Sequence, residues 1–339
     1  MPKLPPVHQY VSNSGVRVYR IPLNVLPDLT GRAYLLLGAG PATLVDTGSG
    51  RPDSMRHLLD GLDAVRTKFG ERVGLADVKR ILITHAHCDH FGGLAELVAR
   101  TAAEAAVHPL DRRALEANRE LAVVRGAAFR RFLAVAGVEP HQRPRLAGMF
   151  ADTTASAADV PVAFTLNDGQ KIDGLRILHT PGHSPGHVCI ATGDVLLVGD
   201  HVLARTLTQQ WPESVAACTG LGHYLEALEK IRRAGEFRLA LGGHELPIRD
   251  LPKRIEEIRA GQERRLGRML DLVHNAGRPL SIAEISRQMY SRQEGFRAML
   301  ALTDVAARVE YLHERGRLAV ANLDDVASQE RPVYRYEAA

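Results

Sequence analysis

Short apolar runs recur through the first 250 residues, each followed closely by a glycine or a side chain able to bind metal. Thr43-Leu44-Val45, Ile81-Leu82-Ile83, Leu175 to Leu178, Val195 to Val198 and Leu239 to Leu241 are blocks of aliphatic and β-branched residues. Such blocks read as buried strands, and the polar residues behind them fall where each strand ends and the chain turns. After Pro247 and Pro252 the pattern changes, with apolar residues at helical spacing from Ile255 through Val273. Gly277-Arg278-Pro279 ends that helix, and Ser281 with Glu284 forms a capping box ahead of Ile285 and Met289. Thr303 is expected to cap a third helix, in which Val305, Val309 and Leu312 align before Gly316 ends it. Arg317 to Ala321 and Pro332 to Tyr336 read as two short strands. The change in pattern divides the chain into residues 1–250 and 251–339.

The chemistry is concentrated at the strand ends. Thr84-His85-Ala86-His87-Cys88-Asp89-His90 places four potential metal ligands within six residues directly after one strand. The other strands lead into His179-Thr180-Pro181-Gly182-His183, Gly199-Asp200 and Gly242-Gly243-His244. Glycines beside the ligands let the backbone turn sharply or approach closely without a Cβ clash. Neutral imidazoles with carboxylates suit zinc and other divalent first-row metals.

In its order and spacing this set resembles the metallo-β-lactamase superfamily, across roughly residues 30 to 250. The resemblance implies an α+β fold, a four-layered αβ/βα sandwich with two metals at one edge of its paired sheets. Carried over, His85, His87 and His183 hold the first metal, Asp89, His90 and His244 the second, and Asp200 bridges them. Asp46 of Asp46-Thr47-Gly48 becomes a supporting residue, and Glu245 departs from the family, where Gly often follows the last His. An Asp at position 200 looks like the glyoxalase II, lactonase and nuclease branches, and His87 stands where flavodiiron proteins carry Glu. The expected cofactors are two divalent metal ions, zinc first, with iron and manganese also accepted by such ligands. His187 is read as a supporting group, His201 as lining the pocket or donating to a ligand, and Cys88 is not assigned to metal. His57, His108, His141, His223 and His274 stand alone and read as ordinary surface or core histidines.

Two adjacent metals would supply a bridging hydroxide and a Lewis acid, so the natural reaction is hydrolysis, with Asp89 orienting the nucleophile. No dedicated acid is visible to protonate a leaving group, which favours a thiolate over an amine or alkoxide. The expected activity is therefore acyl-thioester or ester hydrolysis of the glyoxalase II type. Metal-dependent endoribonuclease and lactonase activities are the alternatives.

The C-terminal order of three helices and a hairpin resembles the winged-helix domain of lactamase-beta-2-like hydrolases, over about residues 255 to 337. Charge weakens a nucleic-acid role for it, since residues 251–339 hold 15 Lys/Arg against 13 Asp/Glu and phosphate-tracking surfaces need a basic excess. Aromatic residues are only 5% of the chain, too few to build a stacking platform for single strands. The expected partner is a small acyl thioester or ester; nucleic acid is less favoured, and a homodimer is left open. Arg112, Arg113, Arg119, Arg125, Arg130 and Arg131 fall on a helical stretch within an expected insertion, residues 110–160, that covers the pocket and becomes less regular from Val138 to Val160. The insertion either offers an arginine to an acidic substrate or forms a solvated helical surface. No stretch approaches the roughly 20 apolar residues of a membrane span, the first residues lack the apolar core of a signal peptide, and three cysteines make no disulfide framework. A cytoplasmic location without membrane contact is expected.

Overall fold

The computed structural model describes residues 4–154, 157–291 and 293–339. Seven strands form the first sheet in chain order: β1 (His8–Val11), β2 (Arg17–Leu26), β3 (Leu29–Leu37), β4 (Thr43–Val45), β5 (Arg80–Leu82), β6 (Glu104–Val107) and β7 (Phe164–Thr165). The second sheet runs in reverse order from β12 (Leu239–Gly242) through β11 (Val195–Gly199), β10 (Val188–Thr192) and β9 (Leu175–His179) to β8 (Lys171–Ile172). Alternation along each strand sorts side chains to two faces. In β2, Tyr19, Ile21 and Leu23 face the outer helices while Val18 faces the other sheet, and in β11 Val195 and Leu197 face inward while Leu196 and Val198 face outward.

Helices α1 (Pro52–Phe69) and α3 (Leu94–Thr101) cover the outer face of the first sheet, with Leu58, Leu62, Val65, Leu94 and Leu97 buried against it. A short helix, α2 (Cys88–Phe91), precedes α3. On the outer face of the second sheet lie α7 (Leu221–Arg233) and the first half of α8 (Leu251–Asn275), through Leu228, Ile231, Ile255 and Ile258. The result is helix, sheet, sheet, helix, the four layers expected. The ends of β4, β5, β9, β11 and β12 that lead into Asp46, Thr84, Thr180, Asp200 and Gly243 all come to one edge.

Helices α4 (Pro109–Glu116), α5 (Asn118–Val135) and α6 (Arg143–Thr154) make up the insertion. The sequence pattern from Val138 predicts irregular chain, yet twelve of its residues form α6. Tertiary contact overrides its weak local pattern: Phe150 stacks on Phe129 with ring centroids 4.4 Å apart and meets Trp211 edge-on at 5.5 Å. The remaining elements are β13 (Leu280–Ser281), α9 (Ile282–Met289), α10 (Gly295–Glu314), β14 (Leu318–Val320), α11 (Leu323–Ser328) and β15 (Arg335–Ala338), with sheet order β13-β15-β14. Ser281 and Glu284 form the expected capping box. Thr303 does not cap α10, because Met299 and Leu302 carry the buried stripe further towards the N-terminus; its hydroxyl bonds back to the Met299 and Leu300 carbonyls. The last strand starts later than expected and α11 occupies part of the preceding loop.

Phe129, Phe132 and Phe150 of the insertion share one core with Met269, Ile285, Met299 and Val305. Insertion and C-terminal elements are thus joined through packing, far apart in sequence. No disulfide links the three cysteines, and among the described residues no helix is long and apolar enough to cross a membrane.

Helix α1 approaches β2 at Gly61, where a Cβ would fall 2.2 Å from Ile21 Cγ2. Gly61→Ala should therefore destabilise the fold by about 1–3 kcal/mol through overpacking, despite the better helix propensity of alanine. Gly267 in α8 has open space at the same position, so Gly267→Ala should instead stabilise by up to about 1 kcal/mol. Urea midpoints of the two variants, moving in opposite directions, check this pair.

Candidate metal centre

Strand β4 delivers Asp46 in a left-handed backbone conformation, φ 59°, with its carboxylate under the loop that follows β5. One oxygen accepts the Thr84 N–H at 2.8 Å; the other accepts the Thr84 hydroxyl and the His90 Nδ1–H, each at 2.8 Å. Since the Thr84 hydroxyl proton is committed to Asp46, His85 must donate its Nδ1–H to Thr84 Oγ1, 3.0 Å away. The imidazole therefore presents an unprotonated Nε2, which lies 3.0 Å from Nδ1 of His87. Backbone carbonyls orient two more rings in the same way, Gln209 accepting from His183 Nδ1 and Thr30 from His244 Nδ1, both at 2.9 Å. Hydrogen bonds from behind are how ligating histidines are held in one tautomer and one orientation.

All seven residues singled out in the sequence meet in one cluster. Three overlapping groups, His85-His87-His183, His85-His90-Asp200 and Asp89-His90-His244, each bring their ligand atoms within 4.8 Å of one another. His244 Nε2 lies 3.2 Å from Asp89 Oδ2 and 3.3 Å from Asp200 Oδ2, and His183 Nε2 is 3.9 Å from the same Asp200 oxygen. His90 Nε2, His183 Nε2 and Asp200 Oδ1 are buried without a hydrogen-bond partner. Orphaned donor atoms of this kind, converging from imidazole and carboxylate, fit a divalent ion.

Electrostatics splits the cluster in two. Burial, reinforced by neighbouring histidines, pushes His85 well below the usual imidazole range and His87 to about 3, and burial also lowers His183. Burial opposes charge on His90 and His244 as well, but Asp200 and Asp89 outweigh it, raising His90 well above its usual value and His244 to about 10. In turn these histidines overcome the burial of Asp89 and Asp200 and hold both carboxyls ionised. One side offers neutral imidazoles; on the other, two protonated imidazoles balance two carboxylates, an arrangement in which a divalent ion would take the place of the two protons.

His187 is fully buried and uses both ring nitrogens, Nδ1 on the Thr180 hydroxyl at 2.8 Å and Nε2 accepting the Asp200 N–H at 3.1 Å. It positions the Asp200 backbone. His201 is buried beside Tyr224 and His187 and does not line the main cavity. Glycine permits two close approaches: a Cβ on Gly243 would fall 2.4 Å from Asp200 Oδ1, and one on Gly199 2.5 Å from His187 Nε2. Glu245 also has a left-handed backbone, φ 59°, the conformation that glycine would adopt freely. Its carboxylate accepts the Arg205 and Thr206 N–H groups and the Thr206 hydroxyl, which orders a stretch of the pocket wall.

Two positioning residues gave no signal in the sequence. Asp111, buried on α4, accepts from the Ala86 N–H at 3.0 Å and the Gly186 N–H at 3.1 Å, pinning together the two loops that carry His85, His87 and His183. Gln209 orients His183 through its carbonyl while its side-chain amide donates to the Leu300 carbonyl at 2.8 Å and to Thr303 Oγ1 at 3.1 Å. Removing Asp46 should be costly: Asp46→Ala leaves the Thr84 N–H and the His90 Nδ1–H buried without acceptors. The expected loss is on the order of 3 kcal/mol, read from urea unfolding, together with weaker metal retention on dialysis.

A family model described as the metallo-beta-lactamase superfamily matches residues 26–272. A probable metallo-hydrolase of Bacillus subtilis (strain 168), YqjP, is 24% identical over 315 residues, covering 89% of this chain and 93% of that protein. An atrochrysone carboxyl ACP thioesterase of Aspergillus novofumigatus, nsrC, is 26% identical over 260 residues, 74% of this chain and 60% of that protein. Among solved structures, a metallo-beta-lactamase family protein of Thermus thermophilus superposes with a TM-score of 0.72 at 28% identity, covering 95% of this chain and 98% of that one. With a His/Asp cluster able to hold divalent ions at the sheet edge, the chain belongs to the metallo-β-lactamase superfamily and is a hydrolase of that fold.

Proposed function

We propose that the chain is a dinuclear metal-dependent hydrolase of thioesters or related esters with a compact, apolar acyl part. The observation that carries this reading is a cavity of about 500 Å³ opening on the cluster, bounded at one end by His87, Asp89, His183 and His244. Its other walls are chiefly apolar, with Leu121 and Phe150 from the insertion, Leu207 and Trp211 from the loop before α7, and Met299 and Leu300 from α10. A concave apolar site with a few convergent polar groups is the form expected for a small-molecule substrate.

In this reading His85, His87 and His183 hold one ion and Asp89, His90 and His244 a second, with Asp200 between them. Zinc suits the donor set, as do iron and manganese. Bound there, two divalent ions supply a nucleophilic water at neutral pH and a Lewis acid for the substrate carbonyl. Asp89, on the cavity wall, accepts a hydrogen bond from the attacking water and orients it. Leaving-group chemistry supports a thioester. Among the described residues the cavity wall contains no lysine or tyrosine, and the Asp111 oxygens are engaged with Ala86, Gly186 and Ser184. A thiolate, with a pKa of roughly 8.5, departs without such an acid. The thioesterase name of the Aspergillus novofumigatus relative agrees with this class.

We read the C-terminal elements as a winged helix that serves as pocket wall, divided from the catalytic part within α8, whose first half still covers the second sheet. Helix α10 supports this role more than nucleic-acid binding. It buries Asp304 and Arg308 and sets Glu310 against the Glu213 N–H and Ser214 hydroxyl, so these three charged groups are taken up by contacts within the protein.

Elemental analysis of the purified, reconstituted protein should give two metals per chain, with thioester cleavage lost on chelation and restored by metal. Asp89→Ala should lower kcat by about 100-fold or more while the His85-His87-His183 group retains close to one metal per chain. Absence of bound metal, or cleavage of single-stranded RNA without any ester turnover, would overturn the reading.

A further inference from the structure

Among the described residues one arginine lines the cavity: Arg125, on α5. Five other arginines belong to the same stretch, and all five, Arg112, Arg113, Arg119, Arg130 and Arg131, are exposed. Of these, Arg112 is paired with Glu116 and Arg113 with Glu120. Arg125 differs. It is partly buried beside Asn118, Leu121 and Ala122, and among the described residues its guanidinium makes no ion pair or hydrogen bond. Its one charged neighbour is Asp111, whose oxygens already accept from Ala86, Gly186 and Ser184. Desolvating a guanidinium without a partner is costly; an anionic ligand group meeting its planar set of donors would offset that cost.

We propose that Arg125 is the anchor for an anionic oxygen group on the substrate, so that the pocket selects an apolar ester or thioester carrying a negative charge away from the scissile carbonyl. The inference rests on the hydrolase reading above for the carbonyl, but not for the anchor. Placement sets the orientation. The scissile carbonyl has to reach the cluster end, lined by Asp89 and Asp200, while Arg125 stands away from it on the helical wall. The carbonyl faces the cluster, the apolar body lies along Leu121, Phe150 and Trp211, and the anion meets Arg125. Two sources share this chemistry: a carboxylate on the acyl part, or a phosphate on the thiol arm.

Trp211 is the one tryptophan of the chain and lies in the cavity wall, so its fluorescence reports binding without any need for turnover. Metal-loaded wild-type, Arg125→Leu and Arg125→Lys proteins would be titrated with 4-phenylbutyrate and its primary amide, and with 4′-phosphopantetheine and pantetheine. For at least one pair, Arg125→Leu should narrow the preference for the anion over its neutral partner by at least about 10-fold, while Arg125→Lys keeps most of it. The pair that responds identifies the source, acyl carboxylate or thiol-arm phosphate. If Arg125→Leu leaves both ratios unchanged, or weakens anion and neutral partner equally, the proposal is overturned. Failure of thioester turnover with an intact Arg125-dependent preference would overturn the hydrolase reading alone, because the binding arm does not depend on catalysis.

Discussion

The centre depends on one buried carboxylate. Asp46 ties the end of β4 to the loop after β5 by accepting from the Thr84 backbone, the Thr84 hydroxyl and the His90 ring. Those three bonds determine which nitrogen of His85 and of His90 faces the cluster, and hence whether the donors converge. Five imidazoles and two carboxylates at one edge form an arrangement that water would otherwise pull apart. It is held because every ring with an identified partner behind it is fixed by an acceptor: a carboxylate, a backbone carbonyl, or the Thr84 hydroxyl, whose own proton is committed to Asp46. Asp46 adopts a left-handed backbone to reach that position, a local cost that the three bonds offset.

Much of this was legible in the sequence because it is local. Four candidate ligands follow β5 within a short stretch of chain, and the apolar runs ahead of Thr84, Asp200 and Gly243 place their ends at a common edge once two sheets stack. The glycines were legible for the same reason: Gly199 and Gly243 precede ligands that could not approach His187 or Asp200 past a Cβ. What stayed hidden is nonlocal. Asp111 and Gln209 are isolated polar residues with no motif around them, and their importance appears only when Ala86 and Gly186, or His183 and Leu300, are seen on either side. Helix α6 and the first turns of α10 escape the sequence pattern because packing decides them. Phe150 needs Phe129 and Trp211, and Met299 needs the insertion, before either stretch has reason to be helical there.

The shared aromatic core changes how the C-terminal elements are to be understood. A winged helix in sequence order invites a search for nucleic acid, but the middle of its long helix, from Leu302 to Val309, is buried. Arg308 is fully buried, paired with Asp304 and with the Gln262 side chain. The insertion and the C-terminal elements instead act together as the far wall of the cavity, while the two sheets supply the chemistry.

Gln209 is where these two halves meet. Its carbonyl fixes a ring of the cluster and its side chain holds α10 one turn beyond Phe296, a residue of the cavity wall. A displacement of α10 is therefore felt at His183 through a single residue, with no chain of intermediates required. The same residue that lines the cavity also sets the tautomer of His183. The shape of the cavity and the orientation of the His183 ring are consequently linked, and substitutions in α10 that alter the cavity will reach the cluster by way of Gln209.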